Sequence, residues 1–198
     1  MESLIKATKN QEFPASISLV LTNNSLAPGI KLAKKHNIPV KKFDKKKFNS
    51  SQFEFNSQKV LLNFKIEMIC LAGFMQILSK EFLGNWKNKI INIHPSYLPN
   101  NKGLNAQKQA LDENADFTGC TVHFVNEEID NGKIILQEKV KIPSKSGNSK
   151  ENGNSEIKWK FQGKVEIPRK NENSKGKWKF PEKVEIPRIK TLFSTGIL

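Results

Sequence analysis

From Met1 to about Pro143, short apolar runs alternate with segments of helical periodicity, and this alternation constrains the fold more than any other feature. Ser16–Leu21 (SISLVL), the run opening at Ile38-Pro39-Val40, Met68–Ala72 (MICLA), Ile90–His94 (IINIH), Cys120–Val125 and Ile134–Val140 read as strands. Met1–Lys9, Leu26–His36, Ser51–Asn63 and Asn105–Asp112 read as helices or helix ends. A run such as MICLA, apolar at every position, fits a strand covered on both faces. The pattern predicts an α/β protein: an open, mostly parallel twisted sheet with flanking helices, of Rossmann-like type. In such sheets ligands bind beyond the carboxyl ends of the strands.

Composition sets further bounds. The chain has 198 residues, 37% apolar and 26% charged, which suits one domain with a lean core plus a tail. No apolar run approaches the ~20 residues of a membrane helix. The opening MESLIKATKNQEF lacks the features of a secretory signal, so a cytoplasmic protein away from membranes is expected. Cys70 and Cys120 form no disulfide framework and no metal pattern, and no metal is expected.

The net charge is +14, supplied by lysine, with arginine only at Arg169 and Arg188. Such an excess favours an anionic partner. Residues 144–198 hold 13 Lys and Arg against 6 Asp and Glu. Ser144–Glu156 is rich in Gly, Asn and Ser and reads as a flexible linker. KWKFQGKVEIPR (Lys158–Arg169) then recurs as KWKFPEKVEIPR (Lys177–Arg188). Lysines interleaved with Trp159, Phe161, Trp178 and Phe180 can hold phosphates and stack bases, or form a small hairpin, or record a sequence duplication. Nucleic-acid modules built this way are rare, and we expect none here. The expected organisation is a domain at 1–143, a linker at 144–157 and a basic repeat tail at 158–198.

The chemistry lies between Leu71 and Gln137. Asn92 and His94 are two apart at the end of a strand and project to the same side. Pro95 and Pro99 then stop the strand. Asp130 precedes Asn131-Gly132, a strong turn signal. An amide, an imidazole and a carboxylate together can stabilise an oxyanion and move a proton. By spacing alone, Asn-x-His reads equally as a hydrogen-bonded structural pair. His123, inside CTVHFV, reads as a hydrogen-bonded structural histidine.

NIHPSYLP followed by KGL, then TGCTVHFVNEEIDNGKIILQ, resembles the folate-dependent formyltransferase superfamily, and within it the phosphoribosylglycinamide formyltransferases. The resemblance runs from about Met1 to Val140. His94-Pro95-Ser96 with Gly103-Leu104 distinguishes this pattern from the methionyl-tRNA and deformylase branches. The resemblance implies that Asn92, His94 and Asp130 are catalytic. It implies that the amine of glycinamide ribonucleotide attacks the formyl carbon of 10-formyltetrahydrofolate, with no metal. It also implies that the pterin lies against Met75, Gln76, Ile77 and Leu78, largely through their backbone, with Asn126, Glu127 and Glu128 closing the pocket. Without the resemblance, Met75, Ile77 and Leu78 read as core. A monomer or homodimer acting on small molecules is expected.

The match departs at both ends. Relatives open with a strand and a Gly-Ser-Asn-type phosphate loop, and Met1–Leu4 aligns inside the helix that follows. The expectation is a sheet lacking a central parallel strand, with neighbouring backbone groups left unpaired, and impaired activity. Relatives often carry Arg at the position of Gln76, and histidines at those of Asn105 and Gln107. Two alternatives stand beside formyl transfer to glycinamide ribonucleotide: a related folate enzyme with another acceptor, and a non-catalytic basic nucleic-acid-binding remnant.

Overall fold

The computed structural model describes residues 1–10, 13–142 and 189–195. The linker and the Lys-Trp-Lys-Phe repeat lie outside the described residues. In chain order the elements are α1 (Glu2–Ala7), β1 (Ala15–Thr22), α2 (Gly29–Lys35), β2 (Val40–Lys42), α3 (Ser50–Asn63) and β3 (Met68–Ala72). They continue as α4 (Lys80–Asn85), β4 (Ile90–His94), α5 (Ala106–Asp112), β5 (Phe117–Phe124), β6 (Ile134–Lys141) and β7 (Ile189–Thr195). The strands form one sheet in the order β2-β1-β7-β3-β4-β5-β6. The first five run parallel, and β5 and β6 are antiparallel to their neighbours.

The alternation of side chains along each strand builds a core on each face. Leu19 and Leu21 of β1, Ile69 and Leu71 of β3, and Ile90 of β4 join Phe53 and Leu61 of α3 and Phe82 and Leu83 of α4 in one cluster. Val20 and Cys70 turn the other way and pack with Ala33 of α2. Burial pushes the Cys70 thiol up to about 11, so it is an inert core group at neutral pH. The face of α3 follows its helical period, with Phe53, Ser57 and Leu61 buried four residues apart. Its start is a capping box: Gln52 N–H donates to the Asn49 side chain at 2.9 Å, and Asn49 N–H donates to Gln52 Oε1 at 3.1 Å.

Two expectations are corrected. The sheet has no central gap, because β7 lies between β1 and β3 and pairs in parallel with both. Residues 189–195, expected in the tail, therefore belong to the same compact unit as residues 1–142. The helix α4 was not legible in the sequence. Its six residues are fewer than two turns, and its buried Phe82 and Leu83 show no period on their own.

Candidate active site

β4 carries Asn92 and His94 on the same face as buried Ile90, beyond the edge of the core. Antiparallel pairing sets His123 of β5 level with Asn92, and Thr121 level with His94. Opposed residues in such a pair project to the same face. The segment after β5 then folds back across this face and delivers Asp130. It lies so close to β5 that only glycine fits at position 132: an added Cβ would stand 1.6 Å from the Phe124 carbonyl oxygen. Asp130 itself adopts the left-handed region at φ 47°, where Asp and Asn are the residues most often tolerated besides Gly.

Four side chains meet there. Asp130 Oδ2 lies 3.2 Å from His94 Nδ1 and accepts the Gly103 N–H at 2.9 Å. Its Oδ1 lies 3.4 Å from His123 Nε2 and accepts from Asn92 Nδ2 at 3.5 Å. Asn92 Nδ2 is also 3.4 Å from His123 Nε2. The far ring nitrogens meet main-chain carbonyls: His94 Nε2 lies 2.9 Å from Asn101 O, and His123 Nδ1 lies 2.9 Å from Phe124 O. Each imidazole thus faces an oxygen acceptor at both nitrogens, and both contacts are hydrogen bonds only when the ring carries two protons.

The Asp130 side chain is 12% exposed. Burial acts to raise its pKa but is outweighed by the His123 hydrogen bond, the Gly103 N–H and the charges of His94 and His123, which together hold it below the ordinary carboxylate value.

Sequence reasoning placed Asn92, His94 and Asp130 as a trio, and the fold brings them together. It missed His123 as a member. The reading of His123 as a buried, hydrogen-bonded residue agrees with its 2% exposure, but its Nε2 faces the cluster. The signal that could have found it was the antiparallel register of β5 on β4, which no single-strand pattern contains.

The loop from Ser96 to Asn101 is pinned to the strands below. Thr121 Oγ1 donates to Ser96 O at 2.8 Å and accepts the Leu98 N–H at 3.1 Å. Gln137 Nε2 donates to Leu98 O at 2.7 Å. A cavity of about 270 Å³ opens beside this loop, with Leu98, Pro99, Lys102, Asp130, Asn131 and Ile134 among its lining residues. Of the trio only Asp130 reaches it; Asn92 is half-buried and His94 is 4% exposed.

The residues expected to hold the second ligand fall into two loops. Leu71 is level with Asn92, so the segment leaving β3 emerges beside the cluster. Met75 and Ile77 are 46% and 72% exposed. Gln76 Oε1 accepts from Asn23 Nδ2 at 2.9 Å. Leu78 is buried in the core, which leaves only its backbone for a ligand. Among the described residues, no backbone–backbone hydrogen bond engages Met75–Leu78. Asn126, Glu127 and Glu128 are exposed, and Lys80–Glu127 at 2.9 Å ties this loop to the first. Among the described residues, no group of three or more His, Cys, Asp or Glu is placed to hold a metal ion, and no helix is long and apolar enough to cross a membrane.

The family described as formyl transferase matches residues 1–158, which include the open α/β sheet and the Asn92–His94–Asp130 cluster. The chain belongs to that family, and within it to the phosphoribosylglycinamide formyltransferases. It is 36% identical over 178 residues to the phosphoribosylglycinamide formyltransferase of Haemophilus influenzae, covering 84% of each chain. It is 45% identical over 159 residues to the trifunctional purine biosynthetic protein adenosine-3 of Gallus gallus, which is 80% of this chain but 16% of that one. The solved phosphoribosylglycinamide formyltransferase of Anaplasma phagocytophilum is similar with a TM-score of 0.67 at 40% identity, over 74% of this chain and 68% of that one.

Proposed function

We propose that this chain transfers the formyl group of 10-formyltetrahydrofolate to the amine of glycinamide ribonucleotide, a step of purine synthesis. The observation that carries the proposal is the convergence of Asn92, His94 and Asp130 within hydrogen-bond reach of one another. The amine nitrogen attacks the formyl carbon and forms the new C–N bond. The carbonyl oxygen becomes an oxyanion, and collapse breaks the bond between the formyl carbon and N10 of the folate. The proton lost by the amine is returned to N10.

Asn92 suits the oxyanion. Its amide contacts at 3.4 and 3.5 Å are long, so the Nδ2 donor turns to a shorter partner at little cost. His94, paired with the Asp130 carboxylate, supplies a second donor once the oxyanion replaces the Asn101 carbonyl at Nε2. Asp130, which lines the cavity, fixes the ring and relays the amine proton. The backbone of Met75–Leu78, which makes no backbone–backbone hydrogen bond among the described residues, offers donors and acceptors to the edge of a pterin ring, with Met75 and Ile77 as apolar cover. Asn126, Glu127 and Glu128 close that side. The protein is expected to act in the cytoplasm as a monomer or homodimer.

The test is release of tetrahydrofolate from 10-formyltetrahydrofolate by the purified chain. Release should depend on glycinamide ribonucleotide and fall about 10²–10³-fold in Asn92→Ala, the usual effect of losing one oxyanion donor. Release at the same rate with water as the only acceptor would replace transfer by hydrolysis.

A further inference from the structure

The middle one of the five parallel strands is also the one farthest in sequence from both its neighbours. β1 and β3 present their inner edges to β7 along Ala15–Leu21 and Met68–Ala72, in parallel register with Ile189–Ser194 and Thr191–Thr195 respectively. Those edges lie deep in the molecule: Leu19, Val20, Leu21, Ile69, Cys70 and Leu71 are all buried. Without a strand between them, two rows of N–H and C=O groups would stand unpaired there. Neither neighbour is close to β7 in sequence, since β1 ends at Thr22 and β3 at Ala72. β7 follows β6, which lies at the far edge of the sheet, across residues 143–188. Its last residue, Thr195, is level with Ala72. Ala72 lines a cavity of about 320 Å³ together with Met1 and Glu2 at the start of α1, and Ala27 and Gly29. The end of β7 is thus level with a residue that shares a cavity with the start of α1.

We propose that the β1–β3 slot is a peptide-binding site for a parallel donor strand, and that residues 189–195 occupy it as a separable segment of the same chain. Affinity comes from backbone hydrogen bonds on both edges, the mode by which extended peptides join sheets. Here it is doubled, because both edges of the incoming strand are paired. Covalent continuity with residues 1–142 supplies proximity and is not needed to hold the strand in place.

The experiment uses the full-length chain with a specific protease site placed just before Ile186. After cleavage, residues 186–198 should co-elute one-to-one with the larger piece in native gel filtration, at the mass of a single chain, and separate only in denaturant. A labelled peptide of residues 186–198 in excess should exchange into the cleaved complex, and the same peptide with Leu192→Pro should not, because proline removes a donor from the strand. Separation of the pieces in native buffer, whether or not the larger piece stays folded, overturns the proposal. So does exchange of the proline peptide at an equal rate. Elution of the uncleaved chain as a dimer that cleavage converts to monomers would show the slot filled by a second copy and would overturn occupancy within one chain.

Discussion

Asp130 is the residue on which the cluster turns, because its two oxygens face two different imidazoles. Asn occupies the left-handed region as readily as Asp, so Asp130→Asn keeps the turn and removes the charge. We expect formyl transfer to fall about 10²–10⁴-fold in this variant, read as kcat with both substrates saturating. The same residue sets an acid limb. Its folded pKa lies below the unfolded value, so the stability it contributes is complete above the unfolded pKa and disappears as pH falls through the folded one. Asp130→Asn should flatten the loss of thermal stability below about pH 4, measured by melting at a series of pH values. His123 contacts Asp130 and Asn92 rather than the cavity, which makes it a positioning residue. His123→Gln should lower kcat about ten- to a hundredfold with KM nearly unchanged. An unchanged kcat, with only melting affected, would confine His123 to the core.

At the scale of elements, the segment between β5 and β6 converts a hairpin into a site. Its close approach to Phe124 depends on Gly132. Gly132→Ala must push the segment away, and should cost about 1–3 kcal/mol in urea unfolding while displacing Asp130 and lowering activity. The α3 cap separates stability from chemistry. Asn49→Ala removes the side-chain acceptor of the Gln52 N–H, leaves the Asn49 backbone N–H free to donate to Gln52, and should cost about 1 kcal/mol. Its kcat should be unchanged, because α3 supplies core and no site residue. Gly119 gives β5 a close approach of a second kind. A Cβ there would stand 2.3 Å from the Glu138 carbonyl oxygen, and Gly119 opens a part of the strand that the apolar pattern of Cys120–Val125 did not reveal.

At the scale of the molecule, a charge of +14 on 198 residues loads the folded state with repulsion that the unfolded chain spreads out. Raising ionic strength from about 0.01 M to about 0.15 M shortens the Debye length from about 30 to about 8 Å and should raise the melting temperature. A fall in melting temperature over that range would mean that attractive pairs outweigh the repulsion. The ion pairs seen at Glu2–Lys6 and Lys108–Asp112 are exposed, which limits their share.

Periodicity carried the α/β class, the strands at Met68–Ala72 and Ile90–His94, and the projection of Asn92 and His94 to one side, because these depend only on local alternation and burial. The turn at Asn131-Gly132 was legible for the same reason, although what it demands is contact with Phe124 rather than a positive φ. Two things were decided only by tertiary structure. His123 entered the cluster through the register of β5 against β4, and Ile189–Thr195 became an inner strand of the sheet, between β1 and β3. Each is a long-range pairing, fixed by which edge or surface is left open when distant segments meet, and a one-dimensional pattern holds no record of that.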